Sequence, residues 1–442
     1  MARIAIGLFV LCFITACTAS LFLQPYHVQS QRFKSSIVQQ RFALSPNAES
    51  QYPKFDRLLY WQELARVHQL QGQYEKSVLL FKKVIAEYKK QTDKAFVSAG
   101  KLGTELISTV GNEKNIPYLG SAFERVLVHY YQALNYLLLQ DLTAANVEIR
   151  NAALIQRQIE LSQGEISAPY QAKAKQNGFD LGDAKDNRFI KQNQQLTGNH
   201  DYHNLNAFIY LFSGLLWQAQ GDRNAAKVDF DKAQGINPSV ADLLPSQLEQ
   251  NQGRLVVIFE QGFVAMKSAF ELSLPNLQFD RLISIALPYY AAEKWPTEKA
   301  LSISIDSLQG NVYGKNTRPI TIVSVLAAEQ LQQNYPVLIM RQALRVMAKK
   351  QLQEELTQAS PLAGVAANIY SVISEQADLR SWSTLPHSLQ FRQFFLPQGP
   401  YSLGLNFEQQ QETQDILIKQ GETTVLWVVD GQTHLIVKKL TF

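Results

Sequence analysis

"AFIYLFSGLLWQAQGDRNAAKVDFDKAQGINP", residues 207–238, decides the fold. Its apolar residues recur with a helical period on both sides of Gly221-Asp222, so it reads as two helices joined by a tight turn. Gly214, Trp217, Gly221, Asp222, Ala226, Phe230, Ala233 and Pro238 mark a spacing that two earlier stretches share. In the first, Trp61, Leu64, Ala65, His68, Gly72, Tyr74, Ser77, Phe81 and Val84 fall at matching positions. In the second, "VLVHYYQALNYLLLQDLTAANVEIRNAAL" (126–154), Ala133, Tyr136, Asp141, Ala145, Ile149 and Ala152 do so. Small residues such as Ala65 and Ser77 let paired helices approach, and Trp61 and Phe81 fill the layer between units. Gly72 supplies a left-handed turn residue at little cost. Three such units in order carry far more weight than any one alone.

The spacing resembles the tetratricopeptide repeat (TPR), a helix–turn–helix unit of about 34 residues. The resemblance implies a helical repeat domain over 51–250 whose concave face receives a peptide or a partner protein, the alternative being that the repeats only pack against the C-terminal half. Tyr130, Tyr131 and Asn135 are the candidates to line that groove, although aromatic residues at this spacing more often belong to a core. Residues 163–203, rich in Gln, Asn, Asp and Gly, interrupt the array and are expected on the surface, as a long loop or a partly helical flap.

Near residue 253 the period changes. "GRLVVIFEQG" (253–262) is a β-branched run bounded by glycines, and "AFELSLP", "RLISIALP" and "ALSISID" alternate after it. "DSLQGNVYGK" (306–315) reads as a hairpin turn, and Asp430-Gly431 as another. Between about 320 and 378 the period is helical again, with Pro336 expected to break or start a helix. The fold class is therefore α+β: a TPR-like helical domain, then an antiparallel β-sandwich-like domain (253–442) with a helical insertion. The closing segment, with "LPQGPYSL" and "GETTVLWVVDG", is similar to PEGA-type bacterial surface modules, which bind or space and do not catalyse.

The beginning of the chain suggests a compartment. Arg3 precedes an 11-residue apolar core, Ile4–Ile14, too short to cross a bilayer but suited to a signal peptide over 1–16. Ile14-Thr15-Ala16-Cys17 resembles a bacterial lipobox, which implies diacylglyceryl attachment at Cys17 and an outer-membrane lipid anchor. Thr18, not Asp, follows the cysteine, and for a Gram-negative lipoprotein this implies the periplasmic face of the outer membrane. Residues 17–50 would be a tether and an early helix. Cys12 lies in the leader, so capping Cys17 would leave no free thiol. The formal charge of +4 is spread without a long basic run, which argues against nucleic acid as a partner.

Taken with "FERVLVHYYQALNYLLLQD", "YPVLIMRQALR" and "ADLRSWSTLP", these features resemble a family of Gram-negative TPR-containing outer-membrane lipoproteins. That resemblance implies an envelope location, a periplasmic or outer-membrane protein partner, and a setting near the peptidoglycan synthesis machinery. Catalytic motifs are absent: there is no G-x-S-x-G and no H-E-x-x-H, and "GNVYGKN" lacks the spacing of a phosphate loop. His200 and His203 are three apart in the polar insertion, which favours a solvated loop over a metal site. Arg341 and Arg345, one helical turn apart, could clamp a carboxylate or the stem of a glycan, or form an exposed salt-bridged face. Asp378, Arg380 and Trp382 read as a domain joint. The expectation is a non-enzymatic, cofactor-free scaffold or adaptor acting through its repeats. The competing expectation is a glycan-binding or hydrolytic protein acting through its β domain.

Overall fold

Gly72 and Gly221 each close one helix and open the next in the computed structural model, which describes residues 26–39, 56–98, 117–162, 172, 176, 184, 186–198, 205–244, 250–276, 281–307, 312–359 and 377–442. Cys17, residues 1–16, His200 and His203 lie outside the described residues. Helix α1 spans Tyr26–Val38 and three hairpins follow: α2 (Arg57–Leu70) with α3 (Tyr74–Ser98), α4 (Ala122–Leu138) with α5 (Leu142–Ser162), and α7 (Ala207–Ala219) with α8 (Arg223–Ile236).

The three turns are built alike. Gln73 N–H donates to the His68 carbonyl at 2.9 Å, Asp141 N–H to Tyr136 at 2.8 Å, and Asp222 N–H to Trp217 at 3.0 Å. Gly72, Gln140 and Gly221 precede these donors, all with positive φ (78°, 63° and 82°). This closure satisfies the last carbonyls of each first helix. Asp141 and Asp222 then cap the second helices, accepting from the N–H of Ala144 and Ala225 at 2.9 Å. Gly214 is needed for close approach, since a Cβ there would sit 2.3 Å from the Phe230 ring.

Of the polar insertion, α6 (Arg188–Thr197) is described and is docked: Asn193 Nδ2 donates to the Ala328 carbonyl at 3.0 Å.

The strands begin at Gln252. They are β1 (Gln252–Gln261), β2 (Lys267–Asn276), β3 (Arg281–Tyr290), β4 (Ser302–Ser307), β5 (Val312–Asn316) and β6 (Arg318–Ile322). Helix α9 (Val323–Ala359) intervenes before β7 (Ser388–Pro397), β8 (Gly399–Phe407), β9 (Gln410–Ile418), β10 (Thr423–Asp430) and β11 (Leu435–Thr441). One sheet has the order β11-β10-β1-β7-β6, a second β5-β4-β8-β9, and β2-β3 form a ribbon. The molecule is thus mixed helix and sheet, an α+β fold.

The strand set is not wholly antiparallel. β1 and β10 run parallel, with Arg254 opposite Thr423 and Glu260 opposite Val429. Alternation of side chains reports which face is buried and carries no information on strand direction. The continuous run "RLVVIF" in β1 is buried on both faces, the pattern of a central strand beside a parallel neighbour. Leu255, Val257 and Phe259 join Leu403 and Leu405 in a core between the two sheets. Val256 and Ile258 join the core shared with the helices. The five-stranded sheet is therefore the middle layer.

Helix α9 also departs from expectation. It starts at Val323, close to the expected 320, but it continues through Pro336 instead of breaking there. Leu331, Tyr335, Ile339 and Met340 are buried on either side of the proline, and Tyr335 Oη donates to the Pro288 carbonyl at 3.0 Å. Tertiary packing on both flanks holds a helix that local preference would interrupt. Both expected hairpins form: Asp306 pairs with Val312, and Asp430 with Leu435.

Candidate functional site: a buried charged junction and the cleft beside it

The first helices of the hairpins face the sheets, and α2 and α4 place buried charge on that face. On α2, Glu63 and Arg66 are three residues apart and both are buried. Arg66 Nη2 pairs with Glu260 Oε2 on β1, and its Nη1 donates to Gln69 Oε1 at 2.8 Å. Glu260 also accepts from Trp427 Nε1 at 2.8 Å and Tyr131 Oη at 3.3 Å. The guanidinium lies over the Tyr131 ring, 4.1 Å from its centroid. Burial pushes the Glu260 carboxyl upward, and the Arg66 charge and the hydrogen bonds oppose that shift. This ion pair joins the helices to the middle sheet.

A second junction involves residues 377–387, which have neither helix nor long strand before β7. Glu63 accepts from the Ser383 N–H at 2.6 Å, Ser383 Oγ at 2.7 Å, the Thr384 N–H at 3.1 Å and Tyr26 Oη at 2.5 Å. Glu124, at the start of α4, accepts from the Trp382 N–H at 3.0 Å and Tyr118 Oη at 2.7 Å. The Trp382 indole sits against Phe81 and Tyr131, with centroids at 6.0 and 5.7 Å. Arg380 bridges Asp378 and Asp56, each at 2.7 Å. Burial alone would raise the Asp378 carboxyl, but the hydrogen bonds and charge of Arg380 outweigh it and hold it below the usual carboxylate range. Asp378, Arg380 and Trp382 therefore do form a joint, as their sequence suggests.

Tyr130, Tyr131 and Asn135 do not line an open groove; all three are fully buried. Tyr130 packs edge-on to Phe208 and Phe212, and Asn135 donates to Ser77 Oγ at 2.8 Å. The physical reason is packing from two sides: the neighbouring hairpins cover Tyr130 and Asn135, and Trp382 and Glu260 from later in the chain cover Tyr131. Arg341 and Arg345 do not form an exposed face either. Arg345 is buried, and Arg341 is half-buried at the edge of a cleft.

That cleft is a cavity of about 160 Å³ between the start of α4, the β2-β3 ribbon and α9. Lys267, Arg341, Arg380, Glu124, Asp378 and Asn334 contribute to its wall. Both carboxylates are committed to the hydrogen bonds above, and Lys267 Nζ donates to the Arg380 carbonyl at 3.0 Å. The cavity offers positive charge and amide groups to a small polar molecule, with its acids already engaged.

Ser324 and His387 make the contact closest to a nucleophile–base pair: His387 Nδ1 lies 2.8 Å from Ser324 Oγ. Both are fully buried, Ser324 Oγ accepts from the Ala265 N–H at 3.0 Å, and no described group orients Nε2. Burial holds the imidazole down to about 4, so it stays neutral at neutral pH. Both side chains are enclosed, and the pair packs the junction. Among the described residues no group of His, Cys, Asp and Glu has the arrangement to hold a metal, and no helix is long and apolar enough to cross a membrane.

Sequence reasoning missed Glu63, Arg66, Glu124 and Glu260. The signal was present for the last: a carboxylate inside a continuous apolar strand requires a buried cation or several donors.

No protein-family model and no curated protein matches this chain. Among solved structures, it is similar to the crystal structure of BtubC (BKLC) from P. vanneervenii, with 14% identity and a TM-score of 0.18. The alignment covers 49% of this chain and 75% of that one, and at that score nothing about fold or activity follows.

Proposed function

We propose that the chain is a non-enzymatic scaffold of the cell envelope, lipid-anchored through Cys17 at the periplasmic face of the outer membrane, that holds a protein partner on the outer helices of TPR-like hairpins. The observation that supports this reading is the distribution of exposed apolar residues. The first helices are covered by the chain's own sheets, which pack as a sandwich-like pair. The second helices carry Val147, Leu154 and Val228 at 50–58% exposure. Val147 and Leu154 are seven residues apart on one side of α5, and large apolar side chains grouped in this way mark an interaction surface better than scattered ones do. A partner in cell-wall assembly fits the family that the sequence resembles.

The test is photo-crosslinking in cells, with a benzophenone amino acid in place of Leu154 or, as a control on the outer sheet, Leu417. A discrete adduct at 154 that disappears on adding Val147→Glu is the expected result. An adduct at 417 with none at 154 would move recognition to the β half and overturn the proposal.

A further inference from the structure

Helix α3 carries a repeating pattern of charge on its exposed side. Lys76, Lys83 and Lys90 recur every seven residues, and Lys82 and Lys89 repeat at the same interval. At 3.6 residues per turn these make two rows on one side of the helix, with Leu79 and Ala86 between them. All seven are exposed, Leu79 at 63%. Exposed Glu75 falls between the rows, half-buried Glu87 pairs with Lys90 at 3.3 Å and Lys83 Nζ lies over the Trp61 ring, so the excess positive charge of this face rests on Lys76, Lys82 and Lys89. An apolar centre flanked by lysines, whose stems can lie along it while their ammonium groups reach outward, suits a lipid surface.

We propose that this face of α3 binds anionic phospholipid headgroups. The inference rests on the proposed Cys17 anchor for its setting. Tyr26 is nine residues beyond Cys17, a reach of at most about 30 Å. α1 packs on α2, and α2 is the hairpin partner of α3. The lysine rows thus belong to the hairpin on which the first described helix after the anchor packs. An acidic protein would need matching shape as well as charge; a headgroup layer needs only the charge and the shallow apolar centre.

The test uses the unlipidated chain from residue 18 onward and flotation with vesicles of phosphatidylcholine, with or without phosphatidylglycerol. Binding is expected only with the anionic lipid and should weaken as salt rises. Each lysine near such a surface contributes about a fivefold factor, so Lys76→Gln/Lys82→Gln/Lys89→Gln should weaken binding about 100-fold. Lys227→Gln/Lys232→Gln, exposed on α8, should leave it unchanged. Circular dichroism of each variant separates loss of binding from loss of fold. No preference for phosphatidylglycerol, or equal losses in the two variants, overturns the inference. Because no lipid is attached, this outcome is independent of the anchor: membrane fractionation of Cys17→Ser reports on that separately.

Discussion

Replacing Arg66 with methionine is expected to destabilise the protein by about 3–5 kcal/mol, since it leaves Glu260 buried without its cation. The geometry makes this site unforgiving. Arg66 and Glu260 are both buried, the guanidinium lies over Tyr131, and the carboxylate holds Trp427 and Tyr131 in place. Adding Glu260→Gln to Arg66→Met should recover more than half of the loss: the amide oxygen still accepts from Trp427, and no charge is stranded. Urea unfolding of the three proteins, compared by midpoint at constant slope, measures both effects. A single variant within about 1 kcal/mol of the parent would mean that water reaches Glu260 and that the junction is open.

Trp382→Ala is the second large effect, about 3–5 kcal/mol from lost packing. The indole is fully buried, touches Phe81 and Tyr131, and donates through Nε1 to Thr384 Oγ1 at 3.0 Å. It is also where the β half reaches into the space between the first two hairpins. The variant should therefore lower cooperativity as well as stability. The far-ultraviolet helical signal and the near-ultraviolet aromatic signal should coincide in the parent and separate in the variant. A small, uniform shift with both probes still coincident would reduce Trp382 to an ordinary core residue.

The sequence is most informative where the determinants are local. Gly72 and Gly221 mark their turns because a left-handed residue is needed there, and Asp141 and Asp222 are close enough in sequence to cap the second helix of each hairpin. "ADLRSWSTLP" reveals a joint because an arginine, an aspartate and a tryptophan together seldom stand in a free loop. Tyr131 departs from the groove reading for the converse reason. A helical period shows that a face is special, but not that residues far later in the chain cover it. β10 is unreadable as a parallel neighbour of β1, since its pairing is decided by the path of the chain through the other sheet. Pro336 misleads because flanking burial outweighs its local preference.

Placing partner recognition on the outer helices depends on the inner face of the hairpins being filled by the chain itself. Hydrogen–deuterium exchange of the full chain tests this at Trp382, Ser383 and Thr384. These residues lie outside regular structure, but their N–H groups donate to buried Glu124 and Glu63. The predicted result is that these amides exchange as slowly as those of β1, through global unfolding. Exchange at the rate of an open loop would contradict it and return the inner face to the role of a vacant groove.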